Sequence, residues 1–394
     1  MRNRKFILKY ILIFLFLFFG NCQQPSEKQI ESAESSYFSA TSIIAEAVSY
    51  LDKKPITVTE TVCERSAGTP HDFYSEGDYW WPNSEDPEGP YIRKDGQTNP
   101  ENFIAHRLAM RDFSRWVASL TAAYKITKDK KYADKALEHL KAWFINANTK
   151  MNPNLLYGQA IKGRVTGRGI GIIDTIHLIE VAKSIQVLQQ LGYLNRVDYI
   201  GLKNWFNEFL TWLTTHPYGL DEKDHGNNHS TWWAAQAAAF AELAERPEIM
   251  EDCRKQYKKL LAAQMDENGG FPDELERTKP FNYSLFNLEG YAVLAEIAST
   301  EKDNLWNYST PNGTLKQAID FMLPSIKDKS KWTYPKDVQH FDELPIQSAS
   351  LLLASKAYQN ADYLNTWKSL IHKRQSKEID RTYPIRQLSL WGAD

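Results

Sequence analysis

The chain has 394 residues, 42% of them apolar, and a formal net charge of −2. That length and apolar share suffice for one large core, and the near-neutral balance excludes bulk electrostatic binding to nucleic acid. Aromatic residues are abundant, with 12 Trp, 20 Tyr and 18 Phe; most suit a core, and a few suit a cleft where sugar rings stack on flat faces.

At the N-terminus, Arg2, Arg4 and Lys5 precede the apolar run Phe6–Gly20, and Cys22 follows. This is the pattern of an export signal, and the cysteine points to a lipoprotein cut before Cys22 and lipidated there. An uncleaved anchor is the alternative, but the run is short for a membrane span. Residues 1–21 are therefore expected to be the signal, 22–36 a polar tether and 37–394 a single domain. The expected location is the periplasm or outer membrane of a Gram-negative bacterium, with a lipid anchor holding a monomer to the membrane. Cys63 and Cys253 either pair or stay as two buried thiols.

Apolar residues at three- and four-residue steps predict helices over Phe103–Thr127, Lys131–Asn146, Ile172–Leu191, Asp198–Thr214, His229–Ala244, Pro247–Met265, Ser284–Ser299, Leu315–Leu323, Pro345–Tyr358 and Ala361–His372. Strand signals are sparse. Short loops between successive helices suggest antiparallel hairpins stacked in a ring, an all-α (α/α) toroid of six or seven hairpins. Two long stretches, His71–Pro100 and Met151–Gly171, break the helical pattern. Their aromatic content argues for ordered loops over one end of the ring.

The segment HGNNH, residues 225–229, stands at the start of an alanine-rich helix. A helix cap needs only one of Asn227 and Asn228. His225 and His229 are four apart, as in metal-binding helices, but the intervening Glu is missing and no third ligand is evident, so no metal or other cofactor is expected. If the helix begins near Asn228, then His229, Trp233, Gln236 and Phe240 share a face, and its polar members form a receptor for an anionic sugar at a helix N-terminus. A second cluster lies in Phe271–Tyr291, where Arg277 and Tyr283 occupy a loop before a helix and Glu274 is placed to hold the Arg277 guanidinium.

NNHSTWW, followed some fifty residues on by ELERT and Tyr283, resembles the alginate lyase superfamily of polysaccharide lyases. The flanking loops and the AYKIT–KYADKALEHLKAWF hairpin resemble the branch grouped with polysaccharide lyase family 38 more than family 5. The resemblance covers roughly residues 70–325. It implies an α/α toroid and metal-independent β-elimination on a polyuronate, either mannuronate-rich alginate or glucuronan. Asn228, His229 and Arg277 would then neutralise the uronate carboxylate, and Tyr283 would move the C5 proton to the O4 leaving group, with Arg277 easing it toward phenolate. For the opposite C5 configuration, His229 would be the base and Tyr283 the acid. Arg164 and Arg168 would meet carboxylates at neighbouring subsites, with Asn154, Tyr157, Gln159 and Asn227 as further contacts and Trp80 or Trp81 as a stacking platform. Two rivals stand beside this reading. A glycoside hydrolase would use carboxylates among Asp72, Glu76, Asp78, Asp273, Glu274 and Glu276. A surface lipoprotein that only captures polysaccharide would not need Tyr283.

Overall fold

A computed structural model describes residues 38–371 and 376–392. The expected signal, the tether and Cys22 lie outside the described residues.

Among the described residues, five helix pairs follow one another. They are α2 (Ala105–Thr127) with α3 (Lys130–Phe144), α4 (Leu178–Gln190) with α5 (Arg196–Thr215), α7 (Asn228–Ala244) with α8 (Pro247–Gln264), α10 (Pro280–Ala298) with α11 (Leu315–Lys327), and α12 (Ala349–Ala357) with α13 (Ala361–Ser369). The first members pack side by side in the order α2, α4, α7, α10, α12, which makes them the inner wall of an α/α toroid. The expectation was six or seven hairpins; α1 (Ala40–Val48) lies singly against α2. Four short helices were not foreseen: α1, α6 (Pro217–Lys223), α9 (Pro272–Leu275) and α14 (Lys377–Thr382). Strands are confined to two-residue to four-residue pieces, of which β1 (Tyr74–Glu76), β2 (Trp80–Trp81), β3 (Ile92–Arg93) and β4 (Tyr157–Ala160) belong to the two long loops. β1 pairs with β4, which joins those loops to each other.

Inner and outer helices differ in sequence for a physical reason. An outer helix has a wet face: α3 buries Ala133, Ala136 and Leu140 and leaves its lysines outside. An inner helix is packed all round, and α7 and α10 are buried over nearly their whole length. Alanines in α7 let neighbouring helices approach closely. One continuous apolar cluster runs from Ile43 to Trp391. Cys63 and Cys253 are buried and free.

Two helix starts position the site. Gly226 has φ +96°, the left-handed region where a side chain is strained, and turns the chain into α7. At α10 the sequence reading was late: the helix begins at Pro280, with proline at the first position, so Tyr283 sits inside its first turn and not in a preceding loop. The Asp337 carboxylate accepts from the backbone N–H groups of Phe281 at 2.9 Å and Asn282 at 3.0 Å. Burial pushes that carboxyl up to about 6 against these bonds.

The C-terminal segment closes over α2 and α4. Lys377 O accepts from Arg111 Nη1 at 3.0 Å, Ser119 Oγ accepts from Gln387 Nε2 at 2.9 Å, and Glu180 Oε1 accepts the N–H groups of Arg386 and Gln387. Its helix α14 thereby becomes a wall of the cleft described next.

Candidate active site

One end of the ring holds a cleft of about 380 Å³, lined by the N-terminal ends of α7 and α10, by α2, by both long loops and by α14. Six arginines line it (Arg93, Arg107, Arg111, Arg168, Arg277, Arg381) against three carboxylates (Asp78, Asp174, Glu378). That excess selects an anionic ligand.

HGNNH divides its labour. Asn227 is the helix cap: its Oδ1 accepts from His229 N at 3.1 Å. Asn228 is turned to the buried carboxylate of Glu274, donating from its backbone N at 2.8 Å and from Nδ2 to both oxygens at 2.8 Å. The two oxygens subtend a narrow angle at Nδ2, so one amide hydrogen serves both and the other is left for a ligand. His229 Nδ1 lies 2.7 Å from Oε1 of Glu222, a carboxylate with no exposed surface, which leaves Nε2 as the imidazole's free end. His225 stands beside it, with ring centroids 5.0 Å apart; burial and then the neighbouring His229 hold His225 below its usual pKa. Burial drives both Glu222 and Glu274 above the usual carboxylate range.

Arg277 is gripped by Asp95 across 182 residues of sequence, through Nη2 at 3.0 Å and Nε at 3.3 Å. Glu274 was expected in that role; it faces Asn228 instead, because residues 272–275 form a short helical turn that carries its side chain to the start of α7. The Arg277 guanidinium lies over the Tyr283 ring, 4.3 Å from its centroid. Although burial opposes its charge, the Asp95 carboxylate holds Arg277 protonated more firmly than usual. Tyr283 itself hydrogen-bonds Tyr79 Oη at 2.9 Å. Arg277 does favour the phenolate, as expected, but other causes outweigh it. Burial, reinforced by Tyr79, raises the Tyr283 pKa well above 10, and Arg277 pulls it down only partly, so the resting phenol is neutral.

The long loops contribute less than expected. Trp80 lines the cleft with Arg164 and Arg168 near its ring, at 5.1 and 5.9 Å. Trp81 is outside the cleft, bonded to Gln97 O with Lys94 over its ring. Arg168 lines the cleft and is held by Gln159, through its backbone O at 3.1 Å and Oε1 at 2.9 Å. Exposed Arg164 is tied to Tyr91 O outside it. Asn154 spends its Oδ1 on Leu156 N, and Tyr157 packs by Gly68, neither lining the cleft. Trp233 and Gln236 are also corrected. Both are core, Trp233 bonded to Leu213 O and Gln236 to Thr175 Oγ1 and Ile172 O. A helix buried on every side carries polar residues for its neighbours as readily as for a ligand.

The carboxylates a hydrolase would need are committed elsewhere. Asp72 accepts from Thr69 and Asn152, Glu76 from Arg65, and Asp78 from Arg107 and Arg381. Asp273 and Glu276 are exposed and outside the cleft. Sequence reasoning missed Tyr79, Asp95 and the contribution of α14, brought in from distant parts of the chain, and Glu222, seven residues before His229 on its own short helix.

The family model described as alginate lyase matches residues 57–332. This chain belongs to the alginate lyase family. A solved alginate lyase from Bacteroides ovatus is 32% identical, with a TM-score of 0.78 over 90% of this chain and 96% of that one. Alginate lyase A1-III from Sphingomonas species A1 shares the fold at 18% identity, with a TM-score of 0.52 over 88% and 93% of the two chains. An alginate lyase of Pseudomonas syringae pv. syringae strain B728a is 32% identical over 130 residues, and one from Cobetia marina is 31% identical over 107 residues. These matches span 33% and 27% of this chain and only 33% and 28% of those relatives.

If Glu222 orients His229, Glu222→Gln lowers kcat/KM about a hundredfold on whichever polymer is turned over. Thermal stability at pH 7 stays equal to or above wild type, because a carboxylate whose pKa burial has raised costs stability when ionised. Unchanged turnover in a folded variant would remove Glu222 from the account.

Proposed function

We propose that this protein is a polysaccharide lyase that cleaves mannuronate-rich alginate or glucuronan by β-elimination, leaving C4–C5 unsaturated ends. The observation that carries this reading is the pairing of a neutral, buried Tyr283 under the Arg277 guanidinium with a corner of unspent donors on Asn228 and His229. The names of the relatives support the same substrate class.

A uronate carboxylate in that corner has its charge offset by Arg277 and His229 and accepts the spare Asn228 hydrogen. The C5–H then becomes acidic enough to lose, because charge moving onto the carboxyl group meets fixed donors. In mannuronate and glucuronate the C5 proton and O4 share a face, so one group serves both. Tyr283, once its resting proton has passed out through Tyr79, takes the C5 proton and returns it to O4 as the C4–O4 bond breaks. Arg277 stabilises the phenolate while it exists. These residues supply the positive charge themselves and call for no metal ion. Trp80 and Arg168 are placed to receive adjoining sugars, and the protein acts as a lipid-anchored monomer exported to the periplasm or outer membrane.

Absorbance from the new double bond, followed on polymannuronate, polyguluronate and glucuronan, tests the reaction. Polymannuronate or glucuronan is expected to respond, and Tyr283→Phe to abolish the signal while binding polymer as wild type does. With Tyr283 as base, kcat/KM rises about tenfold per pH unit through neutrality and beyond pH 9. A flat profile with activity on polyguluronate would give the base role to His229; reducing ends without absorbance would mean hydrolysis. For the anchor, Cys22→Ser is expected to move the protein from the membrane fraction to the soluble one, and its staying in the membrane would contradict lipidation there.

A further inference from the structure

Of the cleft arginines, four already sit in ion pairs with protein carboxylates: Arg107 with Asp78 and Asp174, Arg381 with Asp78 and Glu378, and Arg93 and Arg277 sharing Asp95. Arg168 is braced by Gln159. Arg111 differs. It lies one helical turn beyond Arg107 on α2, is 5% exposed, and makes no ion pair among the described residues. Its hydrogen bonds are Nε to Arg107 O at 3.2 Å and Nη1 to Lys377 O at 3.0 Å, which leaves Nη2 unspent. Burial lowers its pKa to about 10, so it stays charged at neutral pH. The carboxylate that favours its charge, Asp380, is already paired with Arg386 and Arg115, so Arg111 has no counter-ion of its own and a bound anion would offset the cost of its burial.

A second observation points the same way. Asn282 lines the same cleft, is 2% exposed, and its side chain has no hydrogen-bond partner among the described residues; Oδ1 is wholly buried and unpaired. Buried amides are nearly always satisfied, so one that is not marks a place where a ligand completes the bonding. Helix α14 supplies the Lys377 carbonyl that holds Arg111.

We propose that Arg111 and Asn282, which line the same cleft, form an anion subsite there, receiving the carboxylate and a hydroxyl of a uronate unit away from the bond that breaks. The inference rests on the lyase reading above. Because the subsite is built partly on the C-terminal segment, it adds to the cleft's preference for longer anionic chains.

Binding tests it independently of turnover. Oligomers of mannuronate and of glucuronate, two to six units long, are titrated calorimetrically into the Tyr283→Phe protein and into the same protein carrying Arg111→Gln, Arg111→Lys or Asn282→Ala. The longest bound oligomers are expected to bind about tenfold more weakly to the Arg111→Gln and Asn282→Ala proteins, with dimers unaffected and Arg111→Lys in between. Asn282→Ala breaks no side-chain bond among the described residues, so it decides alone if a thermal melt shows that Arg111→Gln does not fold. Affinity unchanged at every length, or lowered equally at every length, overturns the subsite and leaves the lyase reading standing. If no oligomer binds the Tyr283→Phe protein at all, the lyase reading falls and the subsite with it.

Discussion

Three protein carboxylates hold the three groups proposed to meet a substrate carboxylate: Glu274 holds Asn228, Glu222 holds His229 and Asp95 holds Arg277. Each donor is thereby fixed in direction before a substrate arrives, and reorganisation at the moment of reaction is small. Two of the three carboxylates are deeply buried, and their raised pKa values show that the fold bears a cost to keep them there. Much of the surrounding architecture serves those positions. The short helix α6 delivers Glu222, the turn at residues 272–275 delivers Glu274, and the loop ending at Pro100 delivers Asp95.

A second charged network locks the loop to the ring. Arg107 on α2 bonds Asp78 in the loop at 2.5 Å and Asp174 behind β4 at 2.9 Å, and Arg381 on α14 also grips Asp78. Lys279, fully buried beside Tyr283, pairs with Glu378 on α14 at 3.2 Å. The loop that carries Tyr79 and Trp80 is therefore tied to α2 and to the C-terminal segment at once. Breaking one partner of such a buried pair strands the other charge, which makes the network all-or-none.

Helices and their order were legible because apolar spacing reports burial directly, and long aromatic loops were legible because nothing helical fits them. HGNNH was legible because two asparagines exceed what one cap requires. What failed has a common physical origin. Asp95 pairs with Arg277 across 182 residues and Tyr79 with Tyr283 across 204, and a linear pattern holds no record of such contacts. Trp233 and Gln236 were misplaced because a helix packed on all sides has no single wet face. The pull of Arg277 on Tyr283 was visible in the sequence, and the burial that outweighs it was not.

The most direct test of the account is a crystal structure of the Tyr283→Phe protein soaked with an oligomannuronate or oligoglucuronate that it binds. The account predicts one sugar carboxylate within hydrogen-bond distance of Asn228 Nδ2, His229 Nε2 and the Arg277 guanidinium. It also places C5 of that sugar against the edge of the substituted ring, at the point where the Tyr283 phenol oxygen stands in the wild-type protein. A sugar chain lying in the cleft with hydroxyls in that corner, and every carboxylate elsewhere, would contradict it.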